Sequence, residues 1–188
     1  YFSDVHVDPS NTGTYASTVV GMSVEMDVDK CFECIKLKRK EAIIKLHQEM
    51  DNNLRYSTRF HTYVLFDLFI VVCKNNDIRI PEDQIPAYLF ACMLISSHLF
   101  EQLLYIEIDD RRNPTDKYTT AKYINHILEV MDFDIIFDTA WLIIQKIETN
   151  HVKMNRILLD IITEEIQTLE NQKDIAEKVL LCLNKSEN

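Results

Sequence analysis

Both glycines of this 188-residue chain, Gly13 and Gly21, lie near its start, and none follows Gly21. Glycine lets a backbone take left-handed conformations in tight strand-to-helix turns and come close to a bound phosphate. Parallel α/β nucleotide-binding architectures and phosphate loops depend on that freedom, so both are excluded for the chain after residue 21. A long glycine-free stretch rich in Leu, Ile, Lys and Glu favours helix, and an all-α fold is expected.

The pattern of apolar residues divides that stretch. Residues 1–30, with Pro9, Asn11, several Ser and Thr, and the alternating Val24, Met26 and Val28, read as an extended tail with at most one short strand. From Cys31 a period of 3.6 residues takes over. A first helix is predicted over about Phe32–Met50, stopped by Asp51-Asn52-Asn53, and a second over about Ser57–Lys74, stopped by Asn75-Asn76-Asp77. Pro81 and Pro86 suit the first turn of a third helix over Glu82–Gln102. A short fourth is expected in Leu103–Asp110, then a loop over Arg111–Pro114. The fifth covers about Thr119–Asp132, with Lys122, Asn125, His126, Glu129 and Asp132 on one face and Ile124, Ile127, Leu128 and Met131 on the other. Asp138 is placed to cap a further helix through Trp141 to about Asn150. One or two more fill Lys153–Leu183, with Ile157, Leu158, Ile161, Ile162, Ile166 and Leu169 as their apolar stripe. Trp141, Phe133 and Phe137 are read as core.

The stretch Ala91–Glu101, ACMLISSHLFE, contains serine, histidine and glutamate after an apolar run. Ile85, Leu89, Cys92, Ser96, Leu99 and Leu103 share one side of a helix, and Ala87, Phe90 and Leu94 the other, so the third helix is apolar all round and belongs at the centre. Ser96 points roughly opposite His98, and Ser97 lies about 100° from it, which excludes a Ser/His dyad within this segment. Both serines are expected to bond carbonyls one turn back. His98 and Glu101 sit together at the emerging end of the helix, where a partner could touch them.

Composition narrows the alternatives. A net charge of −10 argues against nucleic acid, and the basic run Lys36-Leu37-Lys38-Arg39-Lys40 spreads around more than half a helix as a solvated face. The most apolar window, Tyr63–Cys73, is shorter than the roughly 20 residues a bilayer span needs, so no membrane role is expected. Five cysteines with one close pair, Cys31 and Cys34, lack the second pair a zinc site needs and read as reduced thiols. The six histidines have no ligand spacing, and neither metal nor cofactor is expected; His61 and His126 are assigned to helix surfaces or satisfied contacts. No nucleophile and base are within reach of each other, so the chain is not read as an enzyme. Reduced cysteines, and an opening Tyr1-Phe2-Ser3-Asp4-Val5 unlike a secretory signal, point to an intracellular protein, nuclear or cytoplasmic.

Three segments together resemble the cyclin box: TYVLFDLFIVV in the second helix, ISSHLFE closing the third, and YTTAKYINHILEVMDFDI through the fifth. In that family the second helix carries Leu-Asp-Arg-Phe, the third ends in Leu-Ile-Ala-Ser-Lys with acidic residues after it, and the fifth ends in Leu-x-Phe-Asp. The resemblance covers about Phe32–Ile136. It implies a five-helix box around a central third helix in residues 31–137, with the tail 1–30 before it and C-terminal helices 138–188 packed on it or extending it.

The implied function is that of a noncatalytic subunit that binds, and can activate, a serine/threonine kinase of the cyclin-dependent type through its third and fifth helices. Asp67 matches the family's second-helix aspartate and Arg39 its first-helix arginine, so a structural ion pair is implied. His98 stands where the family has lysine, and Ile124, or with a one-residue shift Asn125, where it has glutamate. The kinase-facing candidates are therefore His98, Glu101, Gln102, Asn125 and Ile124. Around Arg39, Lys38, Glu41 and Lys45 replace the family's apolar docking residues, which argues against substrate recruitment there. A histidine and an amide offer hydrogen bonds without a permanent ion pair. The same helices therefore also suit a second role, an adaptor with the cyclin fold that holds a non-kinase protein.

Overall fold

The computed structural model describes residues 28–49, 54–101, 115–147 and 150–185, and among them every regular element is helical. The helices are α1 (Val28–Glu49), α2 (Tyr56–Asn75), α3 (Ile85–Phe100), α4 (Lys117–Val130), α5 (Ala140–Ile144), α6 (His151–Glu164) and α7 (Gln172–Lys185). A single 3₁₀ turn, Glu82–Gln84, precedes α3. The fold is all-α. The expected fourth helix and the loop to Pro114 lie outside the described residues, so the expected fifth helix is α4. Val28 already belongs to α1, three residues inside the segment read as tail; residues 1–27 lie outside the description.

α2 is the most enclosed helix, with every residue from Thr58 to Ile70 buried. α3 packs against α1, α2 and α4 and is buried apart from Pro86 and its last turns. The centre is therefore a pair of adjacent helices, α2 and α3, rather than a single axle. Phe60, Tyr63, Phe66 and Phe69 of α2 share one buried cluster with Ile85, Tyr88, Leu89 and Cys92 of α3, Ile43 of α1 and Ile127 of α4.

α5, α6 and α7 complete the same core. Trp141 is buried, lies parallel to Phe60 at 5.3 Å between ring centres and touches Tyr56 at 5.0 Å. Met154, Leu158 and Ile162 of α6 and Ile175, Val179 and Leu183 of α7 pack beside it. Thr139, not Asp138, caps α5, its Oγ1 accepting from the Leu142 amide at 3.4 Å. α5 ends at Ile144, and Asn150 caps the next helix by accepting from the Lys153 amide at 3.2 Å. The expected stripe past Ile162 is broken because α6 stops at Glu164. Glu165 is extended, which takes Ile166 off the helical face and leaves Leu169 exposed.

The absence of glycine shows at two helix ends. α2 closes with the Asp77 amide on the Lys74 carbonyl (3.3 Å) and the Ile78 amide on Cys73 (2.8 Å). α4 closes with Asp132 on Glu129 (3.1 Å) and Phe133 on Leu128 (2.9 Å). This pairing terminates a helix through one left-handed residue, most often glycine. Here aspartate takes that place, at φ 55° in Asp77 and 48° in Asp132. A short polar side chain tolerates that conformation better than other non-glycine residues do.

Candidate protein-binding face

Arg39 and Asp67 join the elements around the candidate face. The guanidinium grips the carboxylate at both oxygens, with Nε on Oδ1 and Nη2 on Oδ2, each at 2.5 Å. Both side chains are enclosed, and the remaining Arg39 donors reach the carbonyls of Ile162 (2.6 Å), Glu165 (3.0 Å) and Thr163 (3.5 Å). The arginine of α1 therefore caps the end of α6 while pairing with α2. The Gln167 amide donates to Asp67 Oδ2 at 2.7 Å. Burial pushes the Asp67 carboxyl up to about 6, opposed by the Arg39 hydrogen bonds and charge and by the Gln167 amide, so the carboxylate form prevails at neutral pH.

The rest of the basic run is neutralised locally. Lys36 pairs with Glu33 (2.5 Å), Lys38 with Glu41 (3.0 Å) and Lys40 with Glu164 (2.5 Å), which leaves no continuous basic stripe for a phosphate backbone. A hollow of about 460 Å³ lies where α1 meets the 3₁₀ turn, lined by Lys38, Glu41, Lys45, Glu82 and Asp83 with Ala42 and Pro86. Five of these seven lining residues carry charged side chains.

At the end of α3 the kinase-facing candidates part company. His98 is exposed, its Nδ1 donating to the Leu94 carbonyl at 2.7 Å. Glu101 turns inward, its side chain only 8% exposed. Its Oε1 accepts from the Arg55 amide (2.9 Å) and the Thr58 hydroxyl (2.5 Å), and Arg55 Nε lies 3.5 Å from Oε2. A carboxylate at the start of α2 offsets that helix's unpaired amides and positive dipole end, which is why it folds inward. Gln102 lies outside the described residues. On α4, Asn125 is exposed, whereas Ile124 is half-buried against the core. Asn125 is thus the outward position of the two.

The segment after α4 adds exposed apolar groups, among them Phe133, which is read as core from the sequence. Phe133 is 66% exposed and Ile136 76%, while Ile135 and Phe137 turn inward. Phe133 is at φ 58°, directly after Asp132, so two successive left-handed residues turn its side chain outward. That conformation is costly for an aromatic residue and persists only where the surroundings impose it. Leu99, beside His98, is 37% exposed.

His61 holds these pieces together. Its Nε2 lies 3.0 Å from the Ile135 carbonyl and its Nδ1 2.8 Å from Ser96 Oγ. A carbonyl can only accept, so Nε2 carries the hydrogen and Ser96 donates to Nδ1. The ring lies 4.4 Å from Phe137, nearly parallel, and 4.8 Å from Phe100. This corrects the expectation that no base reaches a hydroxyl, and that Ser96 bonds its own helix; Ser97 alone does so, to the Met93 carbonyl at 2.7 Å. Spacing along the chain could not reveal the contact, because the two side chains lie on different helices. Both are fully enclosed, so the geometry serves packing and not attack on a substrate. His126 likewise has a partner, the Tyr88 hydroxyl at 2.7 Å.

No group of His, Cys, Asp and Glu suited to a metal occurs among the described residues, and none of Cys34, Cys73, Cys92 and Cys182 is in a disulfide. No described helix is long and apolar enough to cross a membrane. Comparison with protein-family models, with curated proteins and with solved structures finds no match in any of the three.

Proposed function

We propose that this chain is a cyclin-like regulatory subunit that binds a serine/threonine kinase of the cyclin-dependent type through the exposed end of α3 and the outer side of α4. The observation that carries the reading is the pairing of Arg39 with Asp67, the ion pair that the cyclin-box resemblance assigns to the first two helices. The offered face comprises His98 and Leu99 on α3, Asn125 on α4, and Phe133 and Ile136 after it. Exposed aromatic and aliphatic groups beside polar ones suit a protein surface, where a few apolar anchors supply most of the affinity. The subunit itself is noncatalytic and acts by favouring one conformation of its partner.

The test is co-purification with the full chain, mass-spectrometric identification of the captured kinase, and assay of its activity with and without this subunit. Phe133→Ser with Ile136→Ser, and separately His98→Ala with Asn125→Ala, should each cut kinase capture and stimulation at least tenfold while leaving the urea midpoint nearly unchanged. Undiminished stimulation with both pairs would remove the assignment of this face.

A second reading, an adaptor for a non-kinase protein, is favoured by one observation. Glu101 is committed to the start of α2, so the face offers His98 and Asn125 without a permanent ion-pairing group from either. Stable capture of a defined non-kinase protein, lost in the Phe133/Ile136 variant and without effect on any kinase, decides for it.

A further inference from the structure

His61 sits on α2, accepts from Ser96 near the end of α3, and donates to the Ile135 carbonyl in the segment that follows α4. Phe100 and Phe137, which enclose its ring, are the sequence neighbours of the exposed Leu99 and Ile136. One imidazole therefore connects both apolar parts of the proposed face. A neutral ring satisfies both contacts with its single N–H and single lone pair.

A second proton would put a charge between two aromatic rings, and Nδ1 would then meet the Ser96 hydroxyl as a donor. Among the described residues, the titratable groups on the surrounding elements offer no hydrogen-bonded counter-charge. On α3, His98 is exposed and Glu101 is held by Thr58 and Arg55. After α4, Asp132, Asp134 and Asp138 face outward. On α2, Arg59 donates to the Leu54 carbonyl and Asp67 is paired with Arg39.

We infer that His61 is a positioning residue: while neutral it holds the segment 131–138 against the end of α3 and so displays Phe133 and Ile136, and its protonation releases that segment. Burial, which disfavours the charged ring, pushes His61 down to about 4, consistent with a latch that is closed at neutral pH and opens in acid. The consequence for binding rests on the function proposed above; the latch itself does not.

Hydrogen exchange on the full chain tests it, corrected for the intrinsic pH dependence, with amides of the buried part of α2 as reference. The Phe133 and Asp134 amides, bonded to Leu128 and Met131, report on the segment. In the wild type their protection should fall about tenfold or more as pH drops from ~6.5 to ~4, while α2 stays protected. His61→Gln, whose amide can donate to Ile135 and accept from Ser96, should keep that protection throughout. Parallel loss in wild type and variant, loss in neither, or loss of α2 together with the segment would overturn the latch. Should His61→Gln not fold, an NMR titration of the wild-type imidazole replaces it: ionisation of His61 without opening of the segment overturns the latch equally. Kinase binding over the same range is read separately. It should weaken in acid only with His61 present, and a latch that opens in a chain that binds no kinase at any pH would sink the function and leave the latch standing.

Discussion

Arg39 and Asp67 stabilise this molecule only as a pair. Taking either charge out of water is costly, and the two-pronged contact together with the α6 carbonyls offsets that cost. Arg39→Met would strand the Asp67 carboxylate and the end of α6, and Asp67→Leu would strand the guanidinium. Each should cost about 3–5 kcal/mol. The double substitution should cost clearly less than the sum, as read from urea unfolding of all four proteins. Strict additivity would mean that the pair does not act as a unit. His61 governs a second response. Its ring binds a proton less readily in the folded chain, near pH 4 against 6.5 for the free side chain, so the unfolded state takes up protons first as pH falls. Stability should therefore drop through that window, by on the order of 3 kcal/mol below it. Asp67 works in the opposite sense: its folded value near 6 lies above the ordinary 3.8, so the folded state takes up its proton first. The difference between wild type and His61→Gln isolates the histidine, and that difference should be flat above pH 6.5 and widen below it.

At the level of elements, the helix ends carry the consequence of a glycine-free sequence. α2 and α4 both terminate through a left-handed aspartate, a conformation that glycine adopts without steric cost. Asp77→Gly and Asp132→Gly should each raise stability by about 0.5–1 kcal/mol, the relief of backbone strain exceeding the added freedom of the unfolded chain. Unchanged or lower midpoints in thermal melts would show that the aspartate side chains contribute something glycine cannot. Most helix positions are legible from the 3.6-residue period, because a helix that buries one side must repeat at that interval. The ends are less so. α5 stops at Ile144 and α6 at Glu164 although the apolar pattern continues, since Arg39 and the Asn150 cap, both tertiary or local polar contacts, set those limits. The outward side chain of Phe133 escapes the pattern for a related reason: the turn after α4 reverses the side on which the next residues emerge.

For the whole molecule, α5, α6 and α7 belong to the same core as the helices before them. Trp141 covers Phe60 and Tyr56, and the carbonyls of α6 complete the coordination of Arg39. A chain cut after Phe137 would expose the apolar side of α2 and leave the Arg39–Asp67 pair half uncovered. Such a fragment should lose the cooperative urea transition of the full chain, checked by circular dichroism in the far ultraviolet, where the helical signal lies. A fragment that unfolds cooperatively at an unchanged midpoint would establish residues 31–137 as an independent unit.

The amino-acid order alone determined that this chain is helical, where most of its helices run and that its third helix is enclosed, because glycine content and apolar period act through local sterics and burial. It also pointed to Arg39 and Asp67, through their places in a recognisable pattern. Only the tertiary structure decided that Glu101 turns inward, that Phe133 and Ile136 turn outward and that His61 meets Ser96. Those outcomes depend on which helix ends lie side by side in space, and one-dimensional periodicity carries no distance between them.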